Sequence, residues 1–172
     1  MNARKESEVT PMKNVTTVER KSEREFVVTR TFDGPARLVF EAWTKPELLK
    51  LWWTPKSMPM SLVACEADVR VGGTYRFVMS LEGSKTMAFF GKYLEVVPGS
   101  RLVWTNEEGE GEPSITTVTF EEKGGKTLLV LSEVHPSKEA VDEATGMGEG
   151  MRETFGQLDE LLVTLGAGVE RS

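Results

Sequence analysis

The chain has 172 residues, 39% hydrophobic and 28% charged, with a formal net charge of −6 and a pI near 5.0, a composition that fits one globular domain with a core of its own. The acidic balance and the scatter of Lys and Arg, in runs no longer than two, argue against nucleic acid or an anionic membrane surface as the main partner. No stretch approaches the ~20 apolar residues of a membrane span, no apolar signal core opens the sequence, and the lone Cys65 cannot form an internal disulfide, so a reducing, cytoplasmic setting is expected.

Residues 1–22 are polar, with five Lys/Arg against three Asp/Glu, and read as a flexible arm or as one that adds loosely to a sheet edge. From Glu25 the pattern changes. EFVVTRTF alternates, with Phe26, Val28, Arg30 and Phe32 on one side, which predicts a strand. Asp33-Gly34-Pro35 ends it and opens a helix whose stripe is Ala36, Val39, Phe40 and Trp43. A second short helix follows: Thr44 with Glu47 matches a capping box, and Pro46 falls in the first turn. Leu48, Leu49, Leu51 and Trp52 supply its apolar side, and the prolines of TPKSMPM stop it.

Six strand signals come next, at 62–69, 74–81, 87–97, 101–105, 115–121 and 127–134. Turn chemistry separates them: Val71-Gly72-Gly73, Pro98-Gly99, an acidic loop at 106–113, and EKGGK, whose glycines tolerate positive φ. Short sequential strands joined by tight turns predict an antiparallel meander with one apolar face. The four glutamates of the acidic loop lack the ligand order of a calcium-binding loop and read as solvated. After His135-Pro136 the pattern turns helical, with Met151, Phe155, Leu158, Leu162 and Leu165 on one stripe and Gly166 and Gly168 as the stop. GMGEG at 146–150 lacks the preceding strand and the βαβ context of a dinucleotide site, so a flexible hinge is expected there. One histidine without companion Cys or His makes a poor metal site, no Ser/His/Asp set is legible, and no cofactor is expected.

This order resembles the helix-grip fold of the START-like (SRPBCC) superfamily and, within it, the AHSA1-like family named for the activator of Hsp90 ATPase. The resemblance rests on FDGPARLVFEAWTKPELLKLWW at 32–53, EADVRVGGTYRFVM at 66–79, GKYLEVVPGSRLVWT at 91–105 and TVTFEEKGGKTLLVLSE at 117–133. It implies an α+β domain at 23–166, between the arm and a tail at 167–172. In it a curved antiparallel sheet of six to seven strands wraps a long C-terminal helix and leaves a cavity. Relatives often carry Trp near the start of that helix, where this chain reads Gly150-Met151. Eukaryotic Hsp90 activators also carry a separate chaperone-gripping domain, which residues 1–22 are too few to replace.

Under that resemblance, Tyr75, Phe77, Phe89, Leu102, Trp104, Val118, Phe120, Leu129 and Leu131 are candidates for the inner sheet face. Neighbours on a helix point about 100° apart, so Trp52 and Trp53 cannot enter one core together. Trp52 is expected to anchor its helix and Trp53 to stand at the cavity mouth. The expected ligand pocket comprises Trp53, Tyr75, Phe77, Phe89, Trp104, Phe120, Leu131, Glu133, Met151, Phe155 and Leu158. Polar candidates are Glu66, Asp68, Arg70, Arg76, Glu133 and His135; Glu133 shares its strand phase with Leu129 and Leu131, so facing inward it must be paired or protonated. The favoured reading is a non-catalytic binder of a small apolar molecule (lipid, polyketide or aromatic), acting as monomer or homodimer. The alternatives are a co-chaperone or interaction module docking on an Hsp90-type chaperone through Trp52 and Trp53, and a cyclase- or hydrolase-like enzyme using Glu133, His135 or Arg76.

Overall fold

Alternation after Glu25 and a helical period after His135 resolve into one sheet and one long helix. The computed structural model describes residues 15–81, 85–107 and 111–166. The strands are β1 (Thr17–Arg20), β2 (Glu25–Asp33), β3 (Ser61–Ala67), β4 (Thr74–Ser80), β5 (Thr86–Val97), β6 (Arg101–Asn106), β7 (Ser114–Lys123) and β8 (Lys126–Val134). Helices α1 (Ala36–Thr44) and α2 (Pro46–Trp52) follow β2, and α3 (Lys138–Thr164) follows β8. The eight strands form a single antiparallel sheet in the order β1-β2-β8-β7-β6-β5-β4-β3. This is the expected α+β helix-grip architecture, with a curved sheet against the C-terminal helix.

The extra strand comes from the segment read as an arm: Thr17–Arg20 pairs with β2 from Thr17↔Thr29 to Arg20↔Phe26. Residues 1–14 and 167–172, and 108–110 of the acidic loop, lie outside the described residues. Around that loop, Asn106 pairs with Ser114, which makes β6 and β7 a hairpin. The EKGGK turn is tight: Lys123 pairs with Lys126, and Gly124 and Gly125 take φ of 60° and 82°, the left-handed values a two-residue hairpin loop requires.

Two sequence expectations about the helices are corrected. Thr44 does not cap α2: Lys45 is the N-cap, with extended backbone and no side-chain cap bond. The Thr44 hydroxyl donates instead to the Phe40 carbonyl, the local alternative open to Ser and Thr side chains. Nor is 146–150 a hinge, because α3 runs unbroken through it. Each interior glycine costs a helix about 1 kcal/mol, but both ends of this one are held. Ser137 Oγ accepts from Ala140 N at 3.1 Å at the start, and Phe155, Leu158 and Leu162 are buried further on.

The core lies between these layers. Phe26, Val28 and Phe32 of β2, Leu129 and Leu131 of β8, Val118 and Leu102 face Val39, Trp43 and the buried side of α3. Phe32 meets Phe155 edge-on at 5.4 Å, and Phe40 of α1 meets Phe120 of β7 in the same manner at 5.4 Å. Burying such side chains contributes about 1.5–3 kcal/mol each. Arg30 shares the inward phase of β2 and is only 7% exposed. Its guanidinium pairs with Asp159 of α3, donates to Thr16 Oγ1 at 3.1 Å, and lies 5.3 Å from the Phe32 ring centroid. Arg152 of α3 donates to the Thr16 carbonyl, so the chain just before β1 is tied both to β2, through Arg30, and to α3. Among the described residues, no helix is long and apolar enough to cross a membrane.

Candidate functional site

The inner face of the sheet is not fully covered. Between β4–β8, the short helices and the stretch of α3 from Gly150 to Phe155 lies a cavity of about 520 Å³. Ligand pockets run to about 300–1,000 Å³ with mostly apolar walls.

Two tryptophans on α2 and its C-cap build one wall. Trp52 is 2% exposed and donates its indole N–H to the Ala42 carbonyl at 2.9 Å. Trp53 is half-buried, with its ring 5.3 Å from Phe77 and 6.1 Å from Trp43, both edge-on. Both rings line the cavity. The two rings thus share one inner wall, and the more buried member is sealed inside, where its N–H finds a backbone acceptor.

The floor follows from strand phase. Tyr75, Phe77 and Met79 of β4, Phe89 and Tyr93 of β5, Trp104 of β6 and Leu131 of β8 all border the cavity. Gly91, between Phe89 and Tyr93, is fixed by a close approach: a Cβ there would stand 2.0 Å from the Thr105 carbonyl oxygen. The mouth is flanked by Pro55, Met58 and Met60 after α2, and by Gly150 and Met151 of α3. That loop is latched to the helix. Gln157 accepts from Lys56 N at 2.8 Å and donates to the Thr54 and Trp52 carbonyls, while Glu153 accepts from Ser57 N and Ser57 Oγ.

One end of the cavity is polar, where the ends of β6 and β8 meet the start of β7. Trp104 Nε1 donates to Asn106 Oδ1 at 3.2 Å, Asn106 Nδ2 donates to Ser114 Oγ and Thr116 Oγ1, and Thr116 Oγ1 donates to Glu133 Oε2 at 3.2 Å. Glu133 Oε1 stands 3.0 Å from His135 Nε2. The imidazole stacks on Phe26 at 6.0 Å and 15°. Glu133 therefore faces inward and is paired.

Of the expected pocket residues, Trp53, Tyr75, Phe77, Phe89, Trp104, Leu131, Glu133, Met151 and Phe155 border the cavity. Phe120 and Leu158 do not. Phe120 is taken up by Phe40 and Trp43 of α1, and Leu158 is fully buried in the core. Of the polar candidates, Glu133 and His135 reach the cavity, whereas Glu66, Asp68, Arg70 and Arg76 are exposed. Arg70 pairs with Asp68 at 2.9 Å, the surface ion pair its neighbours suggested. Sequence reasoning missed Trp43, Leu49, Met79, Tyr93, Asn106 and Ser114 as lining residues. Met79 and Tyr93 were accessible from phase, two steps along from Phe77 and four from Phe89. Nothing local marks Asn106 and Ser114, which become neighbours only through the β6–β7 hairpin.

Burial dominates the electrostatics of the titratable groups under the sheet. It raises the Tyr93 hydroxyl well above its ordinary range, with Cys65 and Asp68 adding to the effect. It also pushes the Cys65 thiol up to about 11, against the pull of Lys50. Among the described residues, no group of three or more His, Cys, Asp or Glu is placed to hold a metal ion.

Comparison with known proteins agrees with this geometry. A family model described as Activator of Hsp90 ATPase homolog 1-like protein matches residues 33–163. The chain is similar to the crystal structure of protein NE0264 from Nitrosomonas europaea, at 29% identity and a TM-score of 0.75, covering 86% of this chain and 99% of that one. A solution structure from Staphylococcus epidermidis shares 26% identity at a TM-score of 0.74, covering 91% and 97% of the two chains. A Rhodobacter sphaeroides protein at 22% identity shares the fold, with a TM-score of 0.80 and coverage of 87% and 99%. A comparison with curated proteins finds no match.

Proposed function

We propose that this chain, which belongs to the Activator of Hsp90 ATPase homolog 1-like family, is a small-molecule carrier or sensor, non-catalytic, that holds an apolar ligand between sheet and C-terminal helix. Family membership supports a ligand-binding or co-chaperone-like fold. The observation favouring the first is the cavity of about 520 Å³ walled by aromatic and methionine side chains, since a domain that only docked onto a partner would gain stability by filling it. The inward turn of Trp52 and Trp53 gives these two rings to the cavity rather than to a docking surface. A free, half-buried Cys65 supports the reading of a reducing, cytoplasmic setting.

The test uses the neutral solvatochromic dye N-phenyl-1-naphthylamine. Saturable binding with blue-shifted emission is expected, and it should be lost in Leu131→Trp, which fills the cavity from the floor. An unfilled dye signal in the native chain, or unchanged binding in a folded Leu131→Trp, would overturn the reading.

A further inference from the structure

We propose that the cavity selects for a protonated amine: its ligand carries a cationic nitrogen on an aromatic or apolar body, with the nitrogen seated at Glu133. This deepens the cavity reading above and rests on it.

The first support is charge. Among the described residues, Glu133 is the one carboxylate that lines the cavity, and neither lysine nor arginine joins it there. Among the described residues its titratable contact is His135, whose Nε2 stands 3.0 Å from Oε1, and a carboxylate oxygen there accepts. A carboxylate with a side chain only 18% exposed, and with neither lysine nor arginine beside it among the described lining residues, is costly in apolar surroundings. A ligand cation offsets that cost, and a ligand anion adds to it.

Hydrogen-bond polarity gives the second support. The Trp104 N–H, one Asn106 N–H and the Thr116 O–H of this corner are spent internally and run one way, from Trp104 through Asn106 and Thr116 to Glu133. Each carboxylate oxygen receives one such contact. A carboxylate offers about four acceptor sites, so acceptor capacity remains on both oxygens. The corner is therefore built to accept, and the complementary ligand group is a donor.

Ring placement gives the third. Tyr93, Trp104, Thr116, Glu133 and Phe26 are consecutive cross-strand partners, one row across the inner face. Strands lie about 4.8 Å apart, which sets Trp104 about 10 Å from Glu133 along that row. Trp43 lies 6.0 Å from Trp104, and Tyr75 6.5 Å from it. Ring faces attract cations and repel anions. An ammonium at Glu133 thus projects its apolar body over Trp104 toward the tryptophan wall.

The experiment titrates the full chain by isothermal calorimetry near pH 7.4 with three probes of one shape: 2-naphthylmethylammonium, 2-ethylnaphthalene and 2-naphthylacetate. The ammonium is expected to bind at least ten-fold more tightly than the neutral probe, with the carboxylate weakest. Glu133→Gln keeps an acceptor but removes the charge, and should bring the ammonium-to-neutral ratio near one. Equal affinities for ammonium and neutral probe, tightest binding of the carboxylate, or a preference that survives in Glu133→Gln would overturn the inference and leave the cavity reading standing. No binding of any probe would overturn both. The wild-type ratio decides even if the variant does not fold.

Discussion

Arg30 of β2 and Asp159 of α3 form an ion pair that pins the sheet to the long helix, with the guanidinium 7% and the carboxylate 26% exposed. The Arg30 Nε beside it is buried without a hydrogen-bond partner, so the pair is retained in a place where solvation is poor.

Arg30→Met should cost about 3 kcal/mol at neutral pH, because it strands a carboxylate that is still partly buried. Burial raises the Asp159 carboxyl above the usual aspartate range, against the pull of Arg30 and with Asp33 and Glu160 adding to the rise. A carboxyl raised on folding contributes stability that is full below its unfolded value and lost as pH climbs through its folded one. Without Arg30 that loss grows, so the deficit of Arg30→Met should shrink on acidification from neutral pH. Urea melts from pH 7 down to pH 4 check this, and Arg30→Met with Asp159→Leu should recover most of the loss.

Gln157→Ala removes one side-chain amide that serves Trp52, Thr54 and Lys56 together. Leaving those backbone groups without partners should cost about 2–3 kcal/mol. Dye release should also quicken, since the loop bearing Met58 and Met60 keeps only the Glu153–Ser57 contacts to α3 of the latch described above. A stopped-flow rate unchanged from wild type would detach the latch from ligand exchange.

Trp52→Ala and Trp53→Ala should separate cleanly. The first empties a sealed site and should destabilise by about 3–5 kcal/mol. The second trims a half-buried wall, with dye affinity falling roughly five-fold, about 1 kcal/mol, and less effect on the melt. Thermal denaturation alongside dye titration distinguishes the two.

Gly91→Ala should fail to fold or lose several kcal/mol, because the new methyl meets the Thr105 backbone carbonyl at 2.0 Å and backbone cannot swing aside. Gly99→Ala is the control, where φ is +74° but nothing lies within 4 Å. It should cost about 1 kcal/mol from backbone strain alone.

Cys65 should alkylate slowly. With its thiol pushed up to about 11 from 9.0, the thiolate near pH 8 is roughly 100-fold scarcer than on a free cysteine, and the iodoacetamide rate should fall in proportion. The rate should keep rising past pH 9. The neutral thiol favours the folded state, and that contribution is lost as pH rises through about 11.

Much of the fold was legible because strand phase and helix period are local. The run from Phe26 to Phe32 already separates buried from exposed, and Glu133 shows its inward face by sharing the phase of Leu129 and Leu131. What failed depended on contacts between distant segments. Phe120 has the inward phase but is claimed by Phe40 of α1, a pairing that strand alternation does not reveal. The glycines at 146–150 read as a break, and the helix is carried across them by caps and packing on either side. Thr44 and Glu47 match the capping spacing, yet Lys45 takes the N-cap. The polar corner was half visible: Glu133 and His135 come from one strand end, while Asn106 and Ser114 join through hairpin register.

Among the described strands, every neighbour in the sheet is also a neighbour in sequence except β2 and β8. Asp33 and Lys126 at that seam are 93 positions apart. Contacts between sequence-distant segments form slowly, because a long loop must close before they are rewarded. On the ribosome the meander from β3 to β7 can zip hairpin by hairpin, but β2 has only the four-residue β1 beside it until β8 has emerged. Phe26, Val28 and Phe32 are thus made early and covered late, which leaves the nascent chain with an open apolar row for general folding helpers, or for a second nascent copy, through most of its synthesis.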